Sequence, residues 1–137
     1  MSQIRKALIS VWNKEGLLEF AHFLKAQNIE IISTGGTMNY LKDNGFEVTS
    51  VSSLTGSKQI MDGRVKTLHP KVFGGILADR NNASHLNDLK DIASFEIDLV
   101  VINLYPFKEE AVNKGLNANK AIEFIDIGGP SMLRAAA

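Results

Sequence analysis

The sequence contains no cysteine, so neither disulfide bonds nor cysteine-liganded zinc can hold it together, and the fold must rest on packing. It has no net charge: 15 Lys and Arg balance 15 Asp and Glu. A general nucleic-acid binder needs a net positive field, so that class is set aside. Histidine is scarce, with only His22, His69 and His85 widely spaced along the chain, which leaves no metal site to read. No apolar run suits a signal peptide or a membrane span. After the opening Met1 to Lys6 a short hydrophobic stretch gives way to Asn13-Lys14-Glu15, and a cytoplasmic protein is expected. Internal repeats and low-complexity segments are absent as well. What remains is one domain's worth of chain: 137 residues, 45% hydrophobic and 22% charged, enough to bury a core.

Apolar runs and glycine turns alternate along that chain. Lys6 to Val11 reads as a buried strand. Asn13 is placed to cap a helix in which Leu17, Leu18, Ala21, Leu24 and Lys25 take amphipathic spacing. Ile29 to Ser33 is a second strand. The turn Thr34-Gly35-Gly36-Thr37 enters a short helix through Leu41, ended by Gly45, and Phe46 to Val51 is a third strand. From Ser52 to Gly75 no period is evident, which predicts a long functional loop. Ile76 to Ala78 is expected as a short strand, and Ser84 to Phe95 as a helix with Leu86, Leu89, Ile92 and Ala93 on one face. Ile97 to Leu104 is the strongest strand, stopped by Pro106. Short helices are expected over Phe107 to Lys114 and Asn117 to Phe124, and a last one from Ser131. Strands alternating with helices predict an α/β protein, a mainly parallel sheet with helices on both faces. Ligands of such sheets sit outside the carboxyl ends of the strands.

The residues able to do chemistry gather at those ends. Asp62-Gly63-Arg64-Val65-Lys66-Thr67-Leu68-His69-Pro70-Lys71 packs three cations and a histidine between glycines. In an extended loop Arg64 and Lys66 point the same way, a two-pronged clamp for an anion; taken alone, such a run reads more readily as a solvated loop. Four other segments lie just after predicted strands: Ser10 to Lys14, Ser33 to Thr37, Asn103 to Pro106, and Asp126 to Ser131. Glycines let a phosphate approach the backbone, and the first amides of the next helix point at it. Ser33, Thr34 and Thr37 add hydroxyls, and Pro130 suits a first helical turn. Each turn alone is as readily a plain connector. With Lys14, Arg64 and Lys66 they make a cationic, amide-lined pocket for a phosphorylated ligand. Tyr105 and Asp126 stand beside it as proton-transfer groups, although a tyrosine there is commonly packing and an aspartate a cap.

Through these segments the sequence resembles the N-terminal inosinate (IMP) cyclohydrolase domain of the bifunctional purine-synthesis enzyme, whose other half is an AICAR formyltransferase. The matching stretches are Ser33 to Thr37, Met61 to Gly75, Asn103 to Phe107, Ile125 to Pro130 and Leu133 to Ala137, so the likeness spans nearly the whole chain. The resemblance implies a three-layer, Rossmann-like fold of the methylglyoxal-synthase type over residues 1–137. It implies intramolecular closure of FAICAR to IMP with loss of water, the last step of de novo purine synthesis. Lys66, Tyr105 and Asp126 are then assigned to proton transfer and charge stabilisation, and Arg64, Thr67 and Asn103 to positioning the base or stabilising an oxyanion. Lys14, the turn Ser33, Thr34, Gly35, Gly36, Thr37 and the turn Gly128, Gly129 would hold ribose and phosphate, with Ser10 and Ile127 as further substrate contacts. Ring closure implies no metal and no cofactor; 10-formyltetrahydrofolate would serve only the transformylase half, which this sequence does not include. The implied assembly is a homodimer acting on a purine ribonucleotide, with neither nucleic acid nor membrane as partner.

Three departures from the family pattern stand out. A catalytic lysine there follows the Arg-Ala-Ala-Ala run, whereas this sequence stops at Ala137; the expectation is a domain truncated at its C-terminus that binds nucleotide and turns over slowly. Trp12 stands where the family has a small polar residue, altering a phosphate-side contact. Phe73 stands where histidine is frequent. Two other readings remain open. A lyase of the methylglyoxal synthase type would need an aspartate-containing loop not seen here. A regulatory nucleotide-binding module would leave Lys66, Tyr105 and Asp126 without a role.

Overall fold

The structure, a computed structural model, describes residues 3–137. Four strands form one parallel sheet: β1 (Lys6–Ser10), β2 (Glu30–Ser33), β3 (Thr49–Ser50) and β4 (Leu99–Ile102), in the order β3-β2-β1-β4. β1 lies between two neighbours, pairing Ala7 with Ile31 on one side and Leu99 on the other. Its Ala7, Leu8 and Ile9 are fully buried, as an aliphatic run without polar interruption must be when both faces are covered.

Alternation along the strands divides the core in two. Ala7, Ile9 and Ile31 pack with Leu17, Ala21 and Leu24 of α1 (Leu17–Ala26) and Leu41 of α2 (Gly35–Asp43). Leu8 and Ile32 face the other way, against Val51 and Leu54 of α3 (Val51–Thr55), Val72 of α4 (Pro70–Leu77) and Met132 of α7 (Gly128–Ala136). Between α4 and β4 runs α5 (Ala83–Asp91), and α6 (Ala118–Ala121) precedes a 3-10 turn at Ile122–Phe124. The expected α/β architecture, helices on both faces of a parallel sheet, is what forms. The chain winds outward from β1 through β2 to β3, then returns to place β4 on β1's opposite side. The connection therefore reverses between β1 and β4, and a crevice opens at their carboxyl ends.

Several elements differ from expectation. Only Thr49 and Ser50 of the third strand pair with β2; the Ser50 hydroxyl accepts from Ser53 N at 3.0 Å and caps α3, so Val51 is helical. The segment expected as one long loop holds α3, a 3-10 turn at Met61–Gly63 and most of α4. His69 caps α4 through Nδ1, which accepts from Lys71 N at 3.1 Å. Residues 76–78, expected as a strand, are the end and cap of that helix. Gly74-Gly75, which reads as a turn, is helical. A Cβ on Gly75 would lie 2.5 Å from the carbonyl oxygen of Phe95, so the glycine lets α4 meet the chain entering β4. α5 stops at Asp91, before a left-handed Ala93, and β4 is shorter than its apolar run. Residues 107–114 form a π turn at Lys108–Val112, and α7 begins at Gly128, earlier than expected.

Candidate active site

A cavity of about 730 Å³ opens at the carboxyl ends of β1 and β4. The segment after β1 forms one wall. There the Asn103 side chain, just beyond β4, accepts from the backbone N–H groups of Trp12 and Asn13 through Oδ1 and donates from Nδ2 to Asn13 O at 2.8 Å. From the other side, Thr37 Oγ1 accepts from Val11 N and donates to Val11 O, both at 3.0 Å. Two strand ends and a helix thus pin this loop, and Lys14 lies across it with Nζ 3.2 Å from the carbonyls of Val11 and Trp12.

The start of α2 supplies the floor. Gly35 adopts a left-handed φ of +56°, and a Cβ there would lie 3.3 Å from Lys66 Nζ. A side chain would be strained by the backbone and would crowd the ammonium. Lys66 arrives on the loop closed by the antiparallel bridge between Ile60 and Val65. Within it Met61 and Asp62 hold φ of +53° and +55°, conformations costing non-glycine residues roughly 1–2 kcal/mol each. Arg64 is not extended, with φ −65° and ψ −29°, so strand-like alternation does not aim it with Lys66. Its guanidinium pairs with Glu123, an exposed residue of the 3-10 turn before α7. That hydrogen bond, then the carboxylate's charge, raises the Arg64 pKa. Lys71, the third cation of the run, belongs to α4 and stands away from the cavity.

The start of α7 completes the enclosure. Asp126 Oδ1 accepts from Gly129 N at 3.0 Å, which orients the carboxylate. A Cβ on Gly129 would collide with Oδ2 of that carboxylate, and one on Gly128 would lie 2.7 Å from Thr67 Oγ1. The diglycine therefore brings Asp126 and the buried Thr67 against the helix start. Tyr105 forms the remaining wall; its hydroxyl has no hydrogen-bond partner among the described residues. Burial, reinforced by the negative charge of Asp126, pushes the phenol above its ordinary value. Its ring meets Trp12 edge-on with centroids 4.8 Å apart, and Phe124 stands 6.3 Å from Trp12 and 6.5 Å from Tyr105.

Of the residues singled out from sequence, Lys66, Tyr105 and Asp126 share this cavity with Ser10, Lys14, Thr34, Gly36, Thr37, Arg64, Thr67, Asn103, Ile127, Gly128 and Gly129. Ser33 does not join them: it is fully buried and its hydroxyl donates to Ile9 O at 2.6 Å, tying β2 to β1. Gly35 touches the site through its contact with Lys66 rather than as part of the wall. Sequence reasoning passed over Glu123 and Phe124. Glu123 is 59 residues from Arg64, and no local spacing could link them. Among the described residues no group of three or more His, Asp or Glu side chains is arranged to hold a metal ion, and no helix is long and apolar enough to cross a membrane.

The family model described as the MGS-like domain matches residues 16–131. The chain belongs to the MGS-like domain family. Among curated relatives, the bifunctional purine biosynthesis protein PurH of Thermoanaerobacter sp. (strain X514) is 59% identical over 133 residues, 97% of this chain and 26% of that protein. The PurH of Brachyspira hyodysenteriae is 54% identical over 134 residues, 98% of this chain and 26% of its own length. This MGS-like domain therefore spans about a quarter of the curated relatives it matches. The crystal structure of ForH superposes with a TM-score of 0.81 at 34% identity, covering 96% of this chain and 66% of that one.

Proposed function

We propose that this domain is an IMP cyclohydrolase, closing FAICAR to IMP with loss of water, and that in a longer protein it is coupled to AICAR formyl transfer. One observation carries the reading: a single cavity joins the cations Lys14, Arg64 and Lys66 to a phenol and an oriented carboxylate. Its relatives are named for purine biosynthesis.

The reaction suits this equipment. Nucleophile and electrophile occupy one molecule, so orientation supplies much of the rate and no cofactor is called for. The carboxamide nitrogen bonds to the formyl carbon while its proton leaves and the formyl oxygen gains negative charge. The adduct then loses that oxygen as water, the formamido nitrogen gives up its proton, and the new C=N bond forms. Asp126 supplies a proton acceptor held by Gly129 N; Lys66 supplies positive charge for the oxyanion; Tyr105, a neutral phenol, donates a hydrogen bond and can pass a proton to the departing oxygen. Lys14 and the backbone at Thr34, Gly36 and Gly128 face the ribose monophosphate. Asn103 acts by holding the Trp12–Asn13 turn. A homodimer in the cytoplasm completes the proposal, its assembly open to light scattering.

Incubation of the protein with FAICAR, followed by ultraviolet absorbance, tests the reading. IMP formation that saturates with substrate is expected, together with IMP binding by calorimetry. The absence of both turnover and binding would overturn it.

A further inference from the structure

We propose that Trp12 is a positioning residue for Tyr105: its indole, with the ring of Phe124, holds the phenol against the cavity wall and keeps water from its inner face. The proposal rests on the reading of Tyr105 as a proton-transfer group.

The three rings form a closed triangle rather than a slot. All three pairs are edge-on, with centroids 4.8, 6.3 and 6.5 Å apart and interplanar angles of 67°, 78° and 88°. No two of these rings are parallel, so the arrangement offers no pair to sandwich a nucleotide base. Edge-to-face contacts of this kind contribute about 0.5–1.5 kcal/mol each and fix ring orientation. The Trp12 backbone is itself pinned by Asn103, which fixes where the indole springs from, and the contacts with Tyr105 and Phe124 orient the ring. Trp12 remains 40% exposed, so it is not a core residue whose loss should collapse the fold. The charged groups that line the cavity with the phenol are Asp126 before α7, Glu123 beside Phe124, Lys14 after β1, and Asp62, Arg64 and Lys66 of the loop before α4. Burial is the first cause of the raised phenol value and Asp126 the second, and Trp12 and Phe124 are the aromatic rings that stand against the phenol.

The test is an ultraviolet titration of tyrosinate. The chain has two tyrosines, Tyr40 and Tyr105, and Tyr105→Phe identifies the second transition. Trp12→Ser is expected to lower the Tyr105 midpoint by about half a pH unit, toward the ordinary phenol value, and Trp12→Phe to leave it in place. In the cyclisation assay, Trp12→Ser should reduce kcat roughly three- to tenfold with KM changed less than about twofold. Circular dichroism checks the fold. Should Trp12→Ser unfold, Phe124→Ala serves instead, with the same lowering expected. An unmoved midpoint in a folded variant, or Trp12→Phe shifting as far as Trp12→Ser, would overturn the proposal. Absence of turnover in the parent protein would count against the cyclohydrolase reading alone, because the titration needs no substrate.

Discussion

The two rims of this sheet carry similar charged groups in opposite states. At the amino ends of the strands, charges close on one another. Lys6 Nζ lies 2.6 Å from Glu30 Oε2, and Glu30 Oε1 accepts from the Thr49 hydroxyl at 2.8 Å. Asp98 Oδ2 accepts from the N–H groups of Arg5 and Lys6 at 2.8 and 2.9 Å, and Oδ1 lies 3.2 Å from Arg80. Lysine, arginine and carboxylates there tie the starts of β1, β2 and β4 together. At the carboxyl ends, Lys14, Lys66 and Asp126 make no ion pair among the described residues, and Arg64 alone is paired, with an exposed partner. Lys14 is held only by backbone carbonyls and Asp126 by one backbone N–H, so these charges are positioned without being neutralised by an opposite charge in the chain. Such an arrangement suits a ligand that brings the opposite charge, in keeping with the proposed function, whereas the amino-end rim joins strands.

Substitutions at each rim should separate these roles, and the greatest effect is expected at the carboxyl end. Lys66→Ala should lower FAICAR turnover on the order of 10³-fold while IMP affinity, measured by calorimetry, falls less than about tenfold. Equal losses in both would make Lys66 a binding group with no role on the oxyanion, and a loss of affinity in a protein without turnover would make the cavity a binding module. Next comes Gly129→Ala. The added Cβ must displace the Asp126 carboxylate, and a misplaced group of this kind should cost about 10²-fold in kcat without lowering the melting temperature greatly.

At the amino end the expected effects fall on stability. Asp98→Ala leaves two backbone N–H groups and Arg80 without their acceptor. It should reduce unfolding free energy in urea by about 2 kcal/mol, with turnover per folded molecule unchanged; a selective loss of activity would blur the distinction between the rims. The smallest effect concerns Glu30, whose carboxyl is held below the ordinary range chiefly by the hydrogen bond from Lys6, against the opposing effect of burial. A value depressed in the folded state means that the pair stabilises above the ordinary carboxylate range and loses its effect as pH falls through the folded value. Being largely exposed, it should contribute less than about 1 kcal/mol. Thermal melts should show Glu30→Gln less stable than the parent at neutral pH and equal to it in acid.

Much of this arrangement was readable because its physics is local. Three consecutive buried aliphatics mark β1, and the rule that ligands meet strand ends picked out the segments after β1, β2 and β4, whereas the Lys66 loop and the Asp126 turn reach the same cavity from helical connections. What escaped depends on contacts distant in sequence. β3 looked longer because Val48 and Val51 continue an apolar run, yet Val51 packs beneath the sheet from a helix capped by Ser50. Gly74-Gly75 looked like a turn because its purpose, closeness to Phe95, is invisible without the fold. Ser33 looked like a phosphate ligand, but the pairing of Ile9 with Ser33 commits its hydroxyl to the neighbouring strand. The Arg64–Glu123 pair and the aromatic triangle join elements that only the completed sheet brings together.

Trp12 is the only tryptophan and lines the upper cavity, so its fluorescence reports directly on whether that rim receives a nucleotide monophosphate. Titration with IMP should change the emission and saturate at one site per chain, while inosine, lacking the phosphate, should bind at least about tenfold more weakly. Equal responses to both, or none to either, would contradict the assignment.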